Sequence, residues 1–102
     1  TAQSVEAAGI ANQMRMKLAE KELRTADFYF KRKLYDSAIL YYDFVISVYS
    51  DTDFAPWALM GLYQSNLEIG YDDLAEEAKQ RLLMEYPESE AAAELGINGS
   101  RS

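Results

Sequence analysis

The chain of 102 residues contains no cysteine and no histidine. Without cysteine there is neither a disulfide framework nor a thiolate metal site. Without histidine the commonest general base and the commonest imidazole metal ligand are both missing. A serine or threonine nucleophile would need another activator, and none stands out. Glycine and proline are scarce, at five and two residues. That scarcity fits an all-α chain with short turns. No apolar run approaches the roughly 20 residues of a membrane-spanning helix. Basic residues are few as well: ten face seventeen acids, for a formal net charge of −7. Nucleic acid is therefore not an expected ligand.

Aromatic residues are plentiful, at 13% with eight tyrosines, which argues against disorder. The charge is unevenly placed. Tyr71 to Leu95 carries eight acids and two bases, whereas Arg15 to Lys33 carries seven bases and three acids. Solvated helix faces account for such runs. A dipolar module that meets neighbours of opposite sign at its two ends accounts for them too.

A spaced echo organises the chain. Leu34-Tyr35-Asp36-Ser37-Ala38, closing at Tyr49-Ser50-Asp51-Thr52, returns as Tyr71-Asp72-Asp73-Leu74-Ala75, closing at Tyr86-Pro87-Glu88-Ser89. Ala38 to Ala75 and Tyr49 to Tyr86 are both 37 residues apart. Helix–turn–helix repeats have periods of about 34 to 47 residues. Such units stack and bind other proteins.

Apolar spacing predicts four or five helices. The first is expected over Val5–Lys33, with Met16, Ala19, Leu23, Ala26, Phe30 and Leu34 as its stripe and Ile10, Met14 and Leu18 on a neighbouring line. Its end, Lys31-Arg32-Lys33, suits the negative pole of the helix dipole. A second helix is expected from an Asp36 N-cap to Tyr49. It is apolar on nearly all sides, so it must be buried on nearly all sides. One of its lines is Tyr41, Phe44 and Val48. That line either packs on another helix, the third being the expected one, or faces a partner with Ser47 and Asp51 at its rim.

A third helix should run from Phe54 to Ile69, with Pro56 in its first turn and Gly70 at its end. Trp57, Met60, Gly61, Tyr63 and Leu67 mark its expected inner side, with Trp57 in the core. Asp72 or Asp73 is the expected cap of a fourth helix, which Pro87 stops. Ser89 and Glu90 open a short fifth helix to Leu95. This predicts one domain over residues 1–95, with repeats at 18–52 and 55–89 and a flexible tail over 96–102. With no initiator Met and no signal peptide, the sequence is expected to be a processed chain or an excised fragment. The cut end of a repeat stack is a site for dimerisation or for exchange of the long first helix.

Catalysis is not expected. Asp72/Asp73 and Glu76/Glu77 are the available carboxylate pairs, but adjacent positions on a helix point in different directions. No cofactor and no metal are expected.

Trp57, Met60-Gly61, Ala75, Leu82 and Pro87 are similar to the tetratricopeptide repeat pattern. A more specific likeness lies in Leu18-Ala19-Glu20-Lys21-Glu22-Leu23, Ala26-Asp27-Phe28-Tyr29, Lys31-Arg32-Lys33-Leu34-Tyr35, Ala38-Ile39 and Tyr49-Ser50-Asp51-Thr52. That run resembles the later repeats of the BamD-type outer-membrane assembly lipoproteins, with Ser50 where the family's turn has proline. The resemblance implies an all-α solenoid of tetratricopeptide-like repeats in the periplasm. It further implies a scaffold of the β-barrel assembly machine that docks on the periplasmic domain of the barrel subunit. It implies membrane attachment only through a lipid on an N-terminal cysteine that this sequence lacks, and no small-molecule substrate. The alternative is another periplasmic repeat adaptor, such as the coordinator of the Tol–Pal system.

Overall fold

In a computed structural model the backbone of residues 2–101 and the side chains of residues 9–96 are described. Five helices follow one another: α1 (Ala2–Lys31), α2 (Tyr35–Val48), α3 (Ala55–Glu68), α4 (Asp72–Glu85) and α5 (Glu90–Arg101). No strand occurs among the described residues. Helices α1 to α4 each pack on the next, α3 also touches α1 and α5, and α4 touches α5. The odd-numbered helices therefore form one layer, and α2 and α4 lie across it. This is a tetratricopeptide-like stack of helical hairpins.

The 37-residue echo extends to the hydrogen bonds. At the end of α1, Lys33 stands in the left-handed region at φ 62°, and at the end of α3 Gly70 does so at φ 84°. The amides of Leu34 and Tyr71 reach back to the Tyr29 and Asn66 carbonyls, at 3.0 and 2.8 Å. The amides of Lys33 and Gly70 bond Phe30 and Leu67. Both turns are thus Schellman motifs, which satisfy carbonyls that the helix end leaves free. At the next turn, the hydroxyls of Thr52 and Ser89 each donate to the carbonyl three residues back, both at 2.7 Å. Buried Ala38, Val45, Ala55 and Ala58 recur 37 residues later as buried Ala75, Leu82, Ala92 and Leu95.

The caps differ from the expected ones. Leu34 and Tyr71 occupy the N-cap positions, and neither makes a side-chain cap bond. Asp36, Asp72 and Asp73 lie in the first turns instead. There they favour the positive pole of the helix dipole without capping a backbone amide. The preceding Schellman turn fixes this register, because it consumes the residue that an aspartate cap would have preceded. Helix α1 accordingly ends at Lys31, and Leu34 is exposed beyond it rather than on its buried stripe. Leu67 is exposed too, not on the inner side of α3, and Trp57 is half-buried against the core.

The backbone stays helical beyond Leu95 to Arg101, where a tail was expected. Glycine lowers helix propensity by about 1 kcal/mol, but unlike proline it keeps the amide donor and does not clash with the turn behind it.

Helix approach is set by small residues. Ala19 and Ala26 of α1 and Ala38 of α2 are fully buried where these helices meet. Gly61 of α3 receives the ring of Tyr42 from α2; a Cβ there would collide with the ring's Cζ. The Tyr42 hydroxyl continues to α1 and donates to Asp27 Oδ1 at 2.5 Å. Burial and the Asp27 partner raise the Tyr42 hydroxyl well above the usual tyrosine pKa.

Gly61→Ala should destabilise the fold by about 1–3 kcal/mol, the overpacking cost outweighing the gain in helix propensity. Denaturant unfolding monitored by circular dichroism measures it, and an unchanged midpoint would refute the tight crossing. Lys33→Gly should instead stabilise by about 0.5–1 kcal/mol, by relieving a left-handed residue that carries a Cβ. Gly70→Ala should shift the midpoint the other way.

Candidate protein-docking surface

Helix α2 buries Ala38, Tyr42, Val45 and Ile46 against its neighbours. Its opposite side remains apolar and open. Leu40 is 70% exposed, Phe44 43% and Val48 42%. Steps of four place these three on one line of the helix. Of the residues expected at a partner surface, Phe44, Ser47 and Val48 lie on this open side. Tyr41 is half-buried, and its ring stacks on Tyr29 of α1 with centroids 5.5 Å apart. It thus packs on the first helix rather than the third. Phe44 meets Tyr49 edge-on at 5.9 Å.

Asp51 is exposed but engaged. Arg15 of α1 donates from Nε to Asp51 Oδ2 at 3.0 Å and from Nη2 to Asp51 Oδ1 at 2.6 Å. The same Nη2 reaches the Val48 carbonyl at 2.6 Å, and the guanidinium lies over the Tyr49 ring at 5.2 Å. From the other side, the Tyr86 hydroxyl donates to the Ser50 carbonyl at 2.7 Å. The α2–α3 turn is therefore held from both α1 and α4. It forms a fixed rim at the end of the apolar line.

Helix α1 enlarges that line. Tyr29 faces Tyr41, and steps of four and three from Tyr29 lead back through Thr25 and Glu22 to Leu18 on the same side. The Arg15 contacts bring this part of α1 beside Phe44–Asp51. Leu18 and Met14 are both exposed there. The surface thus joins Met14 and Leu18 of α1 to Leu40, Phe44 and Val48 of α2, with Ser47 and the Arg15–Asp51 pair at its edge. Its apolar centre and polar rim are the anatomy of a protein interface.

Leu40 and the α1 contribution were not singled out in the sequence. A helix that is apolar all round gives no preferred side by periodicity. Only the seating of Tyr42 over Gly61 decides which side is covered.

The carboxylates of Asp72, Asp73, Glu76 and Glu77 are exposed. Among the described residues no group of three or more potential ligands is placed to hold a metal ion. No described helix is long and apolar enough to cross a membrane.

A known family, YfiO, described as outer membrane lipoprotein, matches residues 4–82. The chain belongs to this family. No curated protein matches it. The YfiO match spans α1, α2 and α3 and most of α4. It therefore includes every residue of the apolar surface and of the turn at its rim. It agrees with the BamD-type likeness carried by the run from Leu18 to Thr52 in this YfiO-family chain.

The Arg15 hydrogen bonds hold the Asp51 carboxyl below the usual aspartate range. A lowered folded-state pKa contributes stability above the unfolded value, and this is lost as pH falls through the folded value. In an NMR titration, Asp51 should therefore titrate below an ordinary aspartate. Arg15→Gln should return it upward. An unshifted Asp51 in the unaltered chain would mean that the pair does not form in solution.

Proposed function

We propose that this chain is a non-catalytic docking module of the outer-membrane β-barrel assembly machinery. It binds the periplasmic part of the barrel subunit at the periplasmic face of the outer membrane. The observation that carries this reading is the open apolar line of α2, flanked by Met14 and Leu18 of α1 and set in a chain of this family. Aromatic anchors such as Phe44 bury large area at small entropic cost, and a few such residues supply most of the binding energy at interfaces. Repeat stacks use their surfaces in this way. With neither cysteine nor histidine, the chain is poorly equipped for nucleophilic or metal-assisted catalysis. Its role is binding rather than turnover of a small molecule, and its attachment to the membrane is through a lipid anchor.

The test measures folding and binding on the same variants. Leu40→Ala should leave the denaturant midpoint nearly unchanged, because that side chain is largely open to water, whereas Phe44→Ala should lower it slightly through loss of the Tyr49 contact. Phe44→Ala should weaken titrated binding to the periplasmic domain of the barrel subunit by about thirty-fold, equivalent to about 2 kcal/mol. Tyr41→Ala should lower stability as well, through loss of the Tyr29 stack. Intact affinity in Phe44→Ala and Leu40→Ala would place the binding face elsewhere. Capture of Tol–Pal components in place of the barrel subunit would assign the module to that system.

A further inference from the structure

Two helix faces carry opposite charge in matching register, and the basic one borders the proposed docking surface, with Met14 three residues before Lys17 on the same stripe. Along the back of α1, Lys17, Lys21, Arg24 and Phe28 follow one another at steps of four, three and four. Helical geometry puts this line opposite the fully buried Ala19 and Ala26. Lys17, Lys21 and Arg24 are exposed, and Phe28 is 48% exposed. These residues border a hollow of about 510 Å³ that Glu20 also lines; Arg24 pairs with Glu20 at 3.4 Å, which leaves Lys17 and Lys21 as the main cations of the line. The Arg32 guanidinium covers the Phe28 ring at 3.5 Å from its centroid, which adds a further cation at the end of the line.

On the outer face of α4, Asp73, Glu77, Gln80 and Met84 follow one another at the same steps. This line lies opposite the buried Ala78 and Leu82, and all four residues are exposed. Met84 is 78% exposed. Glu76 lies beside them and accepts a hydrogen bond from Gln80 at 3.0 Å.

We propose that the basic line of α1 and the acidic line of α4 recognise each other in different copies of this chain and join the copies head to tail. Laid side by side in parallel, the two lines set Lys17 against Asp73 and Lys21 against Glu77. Arg24 then meets Gln80 with Glu76 at hand. Phe28 meets Met84, a sulfur–aromatic pairing that suits two exposed apolar ends. Within one chain the lines do not meet, because α1 and α4 make no contact. A second copy supplies both the complementary charge and the matching spacing.

The contact is heterologous: each copy keeps one line free after the other is used. Such a contact gives open chains rather than a closed dimer unless the rotation happens to close a ring. Exposed ion pairs are individually weak and screened by salt. The association is therefore of low affinity and salt-sensitive.

Sedimentation velocity on the full chain tests this. At low salt the average mass should rise with protein concentration, and at high salt it should return to the monomer. Lys17→Glu with Lys21→Glu should lose the association, as should Asp73→Lys with Glu77→Lys. Mixing these two variants should restore it, since each then offers the charge the other lacks; loss of fold could not produce that rescue. Circular dichroism confirms folding of each variant. Lys17→Gln with Lys21→Gln serves as the milder basic-line variant, and it too should lose the association. A monomer at every concentration in low salt would overturn the proposal. So would a salt-insensitive dimer, association that survives either reversal, or a mixture that fails to associate.

Discussion

The Tyr42 side chain ties three helices together through one ring. Its edge occupies the space that Gly61 leaves on α3, and its hydroxyl ends on Asp27 of α1. That ring limits how closely α2 and α3 approach, and its hydroxyl links both to α1. The buried alanines extend the same condition along each crossing, since a larger side chain at Ala19, Ala26 or Ala38 would hold the helices apart. Once Tyr42 turns inward, Leu40 and Phe44 have no choice but to face outward on the same helix. The candidate surface is therefore a by-product of how the core is built.

That dependence explains what could be read from the residues and what could not. The repeat was legible because its markers are chemically restrictive. A buried alanine, a closing tyrosine and a hydroxyl that caps the next turn recur at one spacing, and the structure repeats their hydrogen bonds. The five helices and the positions of Gly70, Pro56 and Pro87 followed from the same signals. The N-caps were misplaced by two residues at Asp36 and by one or two at Asp72/Asp73, because a Schellman turn built on Lys33 gives no composition signal; lysine rarely adopts a left-handed backbone. Helix α5 runs past Leu95 because glycine disfavours a helix without forbidding it. Among the site residues, Phe44, Ser47 and Val48 were legible as an apolar line with a polar edge. Tyr41 packs on α1, where periodicity favours α3, and Leu40 carries no periodic signal of its exposure. Both depend on which side of an all-round apolar helix meets α1, and that is a tertiary matter.

Family membership and geometry act at different levels in the functional reading. The family places the chain among outer membrane lipoproteins. The geometry supplies a surface with an apolar middle, a fixed turn and an arginine–carboxylate clamp. Because Arg15 and Tyr86 both bond the turn, its backbone would have little freedom left to lose if this surface docks a partner, as proposed. Preorganisation of this kind lets a modest area bind with useful affinity.

The order of packing, in which each helix meets chiefly its immediate neighbours in the chain, also governs how quickly the native state is found. Most contacts close loops of only a few tens of residues, so the entropy of bringing distant segments together is small. Topologies of this low contact order fold on the microsecond-to-millisecond scale. Coupling that runs chiefly between neighbours also lets structure begin at either hairpin and spread along the stack, so the kinetic barrier need not sit at one obligatory nucleus.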